Sequence, residues 1–144
     1  MKTAGDVLAH KGAHVWSIKP IESVFDAIQI MADKEIGALL VMIDDDLVGI
    51  VSERDYARKV ILKDKASHQI PVSLIMTAKI ISVTSNDTVD HCVRLMKDNH
   101  IRHLPVVDVG VVVGMLSLRD LFSSIIEEQA STIDQLEHYI RGDT

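Results

Sequence analysis

The sequence predicts an α+β fold in which two pseudo-symmetric β-α-β-β-α repeats pack through their sheets into one module. The first observation is an internal duplication: at an offset of 65, residues 16–56 align with 81–121 without a gap, and 12 of the 41 pairs are identical. The second is that the spacing of apolar residues changes in the same order in each copy. The third is size, because a unit of roughly 50 residues exposes a sheet face that it cannot cover alone.

Each copy begins with a short strand and an amphipathic helix. Alternating apolar residues at 15–18 and at 80–83 indicate the two strands. Ser23 and Thr88 then stand where helix N-caps belong, and apolar residues follow each of them at i, i+4 and i+7 spacing. We therefore expect a helix with one apolar face after the first strand of each copy.

A hairpin and a second helix complete each copy. Two apolar runs in each copy are joined by a short turn-forming segment, which is typical of a β-hairpin. The paired runs are 38–43 with 47–51 in the first copy and 103–107 with 111–116 in the second. The second helices are expected to begin at Ser52, continuing to Leu62, and at Ser117.

The duplication divides the chain near residue 70. Residues 1–70 form the first repeat and a polar linker at 63–70, and residues 71–144 form the second repeat with an extended C-terminal helix. Pro71 is expected to open a short helical turn. An apolar stripe along 121–140 predicts either a dimer contact or packing on its own repeat, and the sequence leaves both open.

Composition limits the function. The formal net charge of −6 argues against nucleic-acid binding, and no apolar run approaches the length of a membrane span. The single Cys92 aligns with an expected core position, and neither Cys92 nor the His100-x-x-His103 pair has the partners of a metal site. His10 is expected in an N-terminal loop. The sequence therefore predicts a cytoplasmic protein without a resident metal, and it groups no nucleophile with a base, so we expect no enzyme.

Both copies end on the same polar motif at the start of the second helix. Ser52 and Asp55, like Ser117 and Asp120, have the spacing of a capping box, in which serine and aspartate satisfy the first amides of a helix. The same free amides can bind a phosphate. Arginine precedes each aspartate, and a cation in the first helical turn favours the second interpretation, because it opposes the helix dipole unless an anion binds there.

The repeated motif Gly-φ-φ-Ser-x-Arg-Asp, where φ is apolar, occurs at 49–55 and at 114–120, and Ile-Arg-His-Leu-Pro-Val occupies 101–106. With the element order above, these motifs resemble the tandem CBS (cystathionine β-synthase) domain, or Bateman module, over essentially the whole chain. The resemblance implies a stand-alone regulatory sensor that binds an adenosine-containing ligand in the cleft between the repeats. AMP or ATP is expected, with NAD(H) or S-adenosylmethionine as alternatives. It also implies a homodimer that signals to a regulated protein which the sequence does not identify.

The residues and the resemblance together predict nucleotide-binding roles in both copies. Serine and arginine of the motifs would bind phosphate, aspartate would accept from the ribose diol, a basic pair would reach the phosphates, and residues at strand ends would line the rim and the adenine. These residues are Ser52, Arg54, Asp55, Ser117, Arg119, Asp120, Arg102, His103, Lys19, Thr84, Ile36, Gly37, Ala38, Ile80, Ile101 and Pro105. Because Gly37 and Ala38 replace the basic pair in the first copy, we expect the second motif to attract anions more strongly. The alternative is a structural adaptor or dimerisation module in which the motifs are only helix caps.

Overall fold

A computed structural model describes residues 2–12, 14–61 and 68–140, and it divides the chain into two compact units. The first-repeat unit comprises the described residues of 14–82 with 110–112, and the second-repeat unit comprises those of 1–13, 83–109 and 113–144. The duplication divides the sequence at 70/71, whereas packing assigns the N-terminal segment to the second repeat and residues 71–82 to the first. Leu62 and linker residues 63–67 lie outside the described residues.

The helices and strands of the described residues follow the predicted order, apart from an added N-terminal helix and a missing first strand in the second repeat. In chain order they are α1 (Ala4–Lys11), β1 (Ser17–Ile18), α2 (Val24–Lys34), β2 (Ala38–Ile43), β3 (Asp46–Ser52), α3 (Glu53–Tyr56), a π-helical segment (Ala57–Ile61), a 3₁₀ turn (Val72–Leu74), α4 (Val89–Asn99), β4 (His103–Asp108), β5 (Val111–Ser117) and α5 (Leu118–Ile140). The predicted α+β fold, with its two β-rich repeats, is confirmed.

Helices α2 and α4 begin and end in the same way. The Ser23 hydroxyl accepts from the amide of Asp26, and the Thr88 hydroxyl accepts from the amide of His91. Both helices end on a residue with a left-handed backbone, Glu35 with φ 55° and His100 with φ 54°. The predicted N-caps are therefore confirmed. After each helix, the left-handed residue turns the backbone toward the following strand.

The sheet of the first-repeat unit has the order β1-β2-β3. Strands β1 and β2 are parallel, and β2 and β3 form an antiparallel hairpin with Ala38 opposite Ser52 and Ile43 opposite Asp46. One face of the sheet packs on α2 and on the segment after the linker. The core of this unit consists of Ile18, Val24, Ala27, Met31, Leu39, Val41, Val51, Val60, Ile70, Val72 and Ile75.

The second-repeat unit differs from the prediction at its first strand. Residues 80–83 were expected to mirror β1, but only Val83 pairs with the sheet, through one parallel bridge to Val106. In the first repeat the amide of Leu40 donates to the carbonyl of Trp16 at 3.2 Å. The equivalent of Leu40 is Pro105, which has no N–H to donate. The loss of this one donor explains why the second repeat has a bridge in place of a strand.

Helix α1 was not predicted, and the expectation that His10 lies in a loop is wrong. Thr3 and Asp6 form a capping box, with the Thr3 amide 2.9 Å from Asp6 Oδ2. The apolar side of the helix is buried in the second-repeat unit, and the amides of Ala4 and Gly5 donate to the carbonyls of Asp87 and Ser85. The N-terminal segment is therefore part of the second repeat's packing.

Helix α5 is buried at its start and exposed toward its end. Leu121 is fully buried and Ile125 is half-buried, so this part packs on its own unit. Beyond it the apolar side chains of Ile133, Leu136 and Ile140 are more than half exposed. The first part supports the prediction of packing on its own repeat, and the second part leaves an apolar stripe that supports a dimer contact.

Candidate functional site

The second motif forms a strand-to-helix junction in which Asp120 is held from two sides. Its Oδ2 atom accepts from the Ser117 amide at 2.8 Å and from the Lys11 ammonium at 2.6 Å. The Asp120 amide in turn donates to Ser117 Oγ at 3.1 Å. Lys11 also donates to the carbonyl of Met115 at 3.0 Å, so the last residue of α1 is fixed beside the motif.

The first motif forms the same junction with a different lysine. Asp55 Oδ2 accepts from the Ser52 amide and hydroxyl at 3.0 Å, and the Asp55 amide donates to Ser52 Oγ at 3.2 Å. Lys59 lies 3.2 Å from Asp55 Oδ1 and donates to the Ile75 carbonyl at 2.8 Å. Lys59 belongs to the π-helical segment, an irregularity that often occurs at functional sites. In both repeats, therefore, a capping box coexists with a lysine on the motif aspartate.

A main-chain hydrogen bond fixes the start of each hairpin next to its motif. The Leu118 amide donates to the Arg102 carbonyl at 2.8 Å, and the equivalent Glu53 amide donates to the Gly37 carbonyl at 3.1 Å. The predicted basic pair of the second repeat, and the residues that replace it in the first, are thereby brought to the motif helix. The side chain of Arg102 is exposed.

The charges around the second motif shift two pKa values. Burial raises the pKa of Asp120, but the hydrogen bonds and charge of Lys11 and the hydrogen bonds from Ser117 outweigh it, so the pKa is lowered from 3.8. Burial lowers the pKa of His103 from 6.5, and the cations of Lys11 and Arg102 lower it further against the opposing charge of Asp120. The lowered pKa favours the uncharged form of His103, and the cations whose charges act on these two groups are Lys11 and Arg102.

The lowered pKa of His103 predicts an acid-dependent loss of stability. The unfolded chain binds a proton at His103 near pH 6.5 and the folded chain only at lower pH, so stability falls as pH falls from 6.5 toward the folded pKa. In thermal melts, we expect His103→Gln to flatten the decline in Tm between about pH 7.5 and about pH 5.5. His91→Gln, a half-buried histidine of the same unit, is the control. An unchanged decline in His103→Gln would contradict the assignment.

The remaining predicted residues lie at turns and strand ends. Lys19 and Thr84 each begin an exposed turn in which the backbone amide donates to a carboxylate three residues later, at 2.8 Å and 2.7 Å. Ile36 packs on the core of the first-repeat unit, and Pro105 is buried in β4, where its carbonyl accepts from Val83. Ala38 is also buried, whereas Ile80 and Ile101 are half-buried. Their roles in ligand binding stay predictions.

Lys11 and Lys59 were missed by the analysis of the sequence. Both contact a motif aspartate from outside the motif, so spacing within Gly-φ-φ-Ser-x-Arg-Asp does not indicate them. A signal for Lys11 did exist, because Thr3-x-x-Asp6 ahead of Val7 has the same capping-box pattern that was recognised at Ser52 and Ser117. Helix α1 could have been predicted from it.

Residues 2–12, 14–61 and 68–140 contain neither a metal-binding cluster nor a membrane-spanning helix. Within these ranges, no three histidine, cysteine, aspartate or glutamate side chains are grouped so that they could share a metal ion. None of the helices in the same ranges combines the length and the apolar character needed to cross a bilayer. Cys92 is buried in α4, as its alignment with Ala27 predicted, and burial together with the charge of Asp87 raises its pKa to about 11.

Comparison with known proteins identifies similar chains over most of the sequence. The CBS domain family matches residues 4–62 and 70–127. The mitochondrial CBS domain-containing protein CBSX3 of Arabidopsis thaliana is 35% identical over 97% of this chain and 72% of its own length. A putative signal-transduction protein with CBS domains from Burkholderia ambifaria has a TM-score of 0.86 at 43% identity, covering 89% of this chain and 96% of that one.

A more distant likeness concerns the fold alone. The CBS domain pair of protein MJ0100 was solved in complex with 5′-methylthioadenosine and S-adenosyl-L-methionine, and it has a TM-score of 0.77 at 24% identity. The match covers 90% of this chain and 98% of that one.

Proposed function

The chain belongs to the CBS domain family, and from that premise we propose that it is a regulatory module which binds an adenine nucleotide and signals the bound state to a partner protein. AMP or ATP is the proposed ligand, with NAD(H) or S-adenosylmethionine as alternatives. The module acts as a homodimer and has no catalytic role. A cytoplasmic location stays a prediction, because the Arabidopsis relative is described as mitochondrial.

The observation that carries this proposal is the duplicated junction. In both repeats a half-buried aspartate lies at the start of a helix, bonded to the cap serine and to a lysine ammonium. A helix cap needs only the serine and the carboxylate. The additional lysine and the arginine before the aspartate provide cations where a helix N-terminus already favours an anion. A nucleotide phosphate is an anion that could bind both to these cations and to the amides at the helix start.

The carboxylate of the motif aspartate could bind the ribose of the nucleotide. An ionised aspartate accepts hydrogen bonds and can take both hydroxyls of a ribose, and the lowered pKa of Asp120 keeps it ionised at neutral pH. The ligand controls a partner only if it binds one conformation of the module more tightly than another.

Calorimetric titration tests the proposal. We expect one of AMP, ATP, NAD, NADH and S-adenosylmethionine to bind the parent protein, and Asp120→Asn to weaken binding roughly 10- to 100-fold, because a hydrogen bond to a charged group contributes about 1.5–3 kcal/mol. Asparagine retains an oxygen that can cap the helix. Asp55→Asn, measured in parallel, tells whether the first motif takes part.

The matched control is Asp98→Asn, which removes one carboxylate from the exposed face of α4. It should bind like the parent. If none of the five compounds binds the parent, or if Asp98→Asn weakens binding as much as Asp120→Asn, the nucleotide proposal is wrong.

The second candidate is a structural adaptor that dimerises without a ligand. It is favoured by the complete capping boxes, which already use the serine and the aspartate of both motifs, and by the exposed stripe at Ile133, Leu136 and Ile140. In this case none of the five compounds binds, and Asp120→Asn changes only the melting temperature.

A further inference from the structure

Lys11 is held in a fixed position by its helix. The first turn of α1 is joined to the second repeat by a bridge between Thr3 and Thr88, and Ala4, Val7 and Leu8 are buried. Lys11 ends this helix, and its side chain is 34% exposed. The helix therefore carries one cation to the second motif while leaving it accessible to a ligand.

Lys11 has one N–H group left to donate to a ligand. Its ammonium contacts Asp120 Oδ2 at 2.6 Å and the Met115 carbonyl at 3.0 Å, and an ammonium has three N–H groups. The carbonyl equivalent to Met115 in the first repeat is that of Ile50, which accepts from the main-chain amide of Thr77 at 2.8 Å. In the second repeat a charged side chain thus takes the place of a neutral amide.

The charges around Lys11 favour a negatively charged ligand. Arg102 and Arg119 are exposed cations next to the same helix start, and Asp120 is the carboxylate that opposes them. Lys11 alone balances the charge of Asp120, and Arg102 adds a second cation whose charge acts on neighbouring His103. A phosphate group near Lys11 would supply negative charge to these cations, and charge-assisted contacts to a phosphate are stronger than contacts to a neutral group.

From this arrangement we propose that Lys11 is a specificity-determining residue of the second-repeat site, selecting adenosine compounds with a phosphate on the ribose over uncharged adenosine. The inference rests on the proposed function and extends it, because it names the group that the ligand must carry and the helix that recognises it. The ammonium shares its hydrogen bonds between Asp120 and the phosphate when the ligand is bound. A ligand without that phosphate gains nothing from Lys11.

The test compares AMP with adenosine by calorimetry on the full chain. We expect Lys11→Met to weaken AMP binding roughly 10- to 100-fold and to change adenosine binding by no more than about twofold. Lys11→Arg, which retains the charge, should bind AMP within about fivefold of the parent. Lys97→Met removes an exposed lysine of the same unit and changes the net charge by the same amount as Lys11→Met. It should leave both affinities unchanged.

The outcomes separate this inference from the proposed function. If Lys11→Met weakens AMP and adenosine equally, Lys11 acts only by orienting Asp120, and the inference is overturned while the nucleotide site stands. If Lys11→Met changes neither affinity, the inference is also overturned. If neither compound binds the parent, phosphate selection by Lys11 is wrong, and the proposed function is judged by its own ligand panel.

Discussion

Replacing Leu8 by alanine should lower the free energy of unfolding by about 2–5 kcal/mol, the usual cost of removing a buried leucine side chain. Leu8 is 5% exposed, and its methyl groups fill the space above Gly114 in β5. The side chain thereby joins α1 to the sheet of the second repeat. Urea unfolding followed by circular dichroism measures the change.

Leu136→Ala is the matched control for this prediction. Leu136 lies on α5 with 56% of its surface exposed, so its truncation in the monomer should cost only a few tenths of a kcal/mol. Equal effects of the two substitutions would mean that α1 does not pack on the second repeat as described.

The second prediction concerns the glycine that Leu8 covers. A Cβ atom added to Gly114 would lie 2.6 Å from Leu8 Cδ2, so Gly114→Ala should destabilise the protein by about 1–3 kcal/mol through overpacking. In a Leu8→Ala background the same substitution meets an empty space. There it should be neutral or stabilising, because alanine is preferred to glycine within a strand by roughly 0.5–1 kcal/mol.

A double-mutant cycle measures this coupling, which we expect to reach about 1 kcal/mol or more. Gly49→Ala is the control, since it is the equivalent position of the first repeat and its added Cβ would meet Met76 Sδ at 2.6 Å. The effects of Gly49→Ala and Leu8→Ala should simply add. Additivity of Gly114→Ala with Leu8→Ala would contradict the assigned contact.

The elements that depend on local signals were predictable from the sequence. The hairpin runs and the caps at Ser23 and Thr88 specify structure within a few residues, and the structure has each of them. The prediction of a strand at 80–83 was wrong for a reason that was present in the sequence. Pro105 removes the donor that its partner strand needs, but the consequence appears only once the register between two distant segments is known.

The candidate site was predictable only in part. The capping geometry at Ser52 and Ser117 follows from spacing along one helix. Lys11 reaches Asp120 across 109 residues of sequence, and no local pattern encodes such a contact. Lys59 follows Asp55 by four residues, a spacing at which opposite charges commonly pair along a helix, so this contact could have been predicted. The predicted difference in charge between the two motifs stays a prediction, because Lys59 and Lys11 add one cation to each of them.

The segment in front of each repeat contributes to the core of the other repeat's unit. Helix α1 lies ahead of the duplicated residues 16–56 and packs on the second repeat, while Val72 and Ile75 lie ahead of the duplicated residues 81–121 and are buried with the first. A gene fragment that stops at residue 70 therefore encodes a first repeat without part of its own core, together with a helix that has lost its binding surface. We therefore expect neither half to fold alone, so that a gene encoding this protein must keep both halves together.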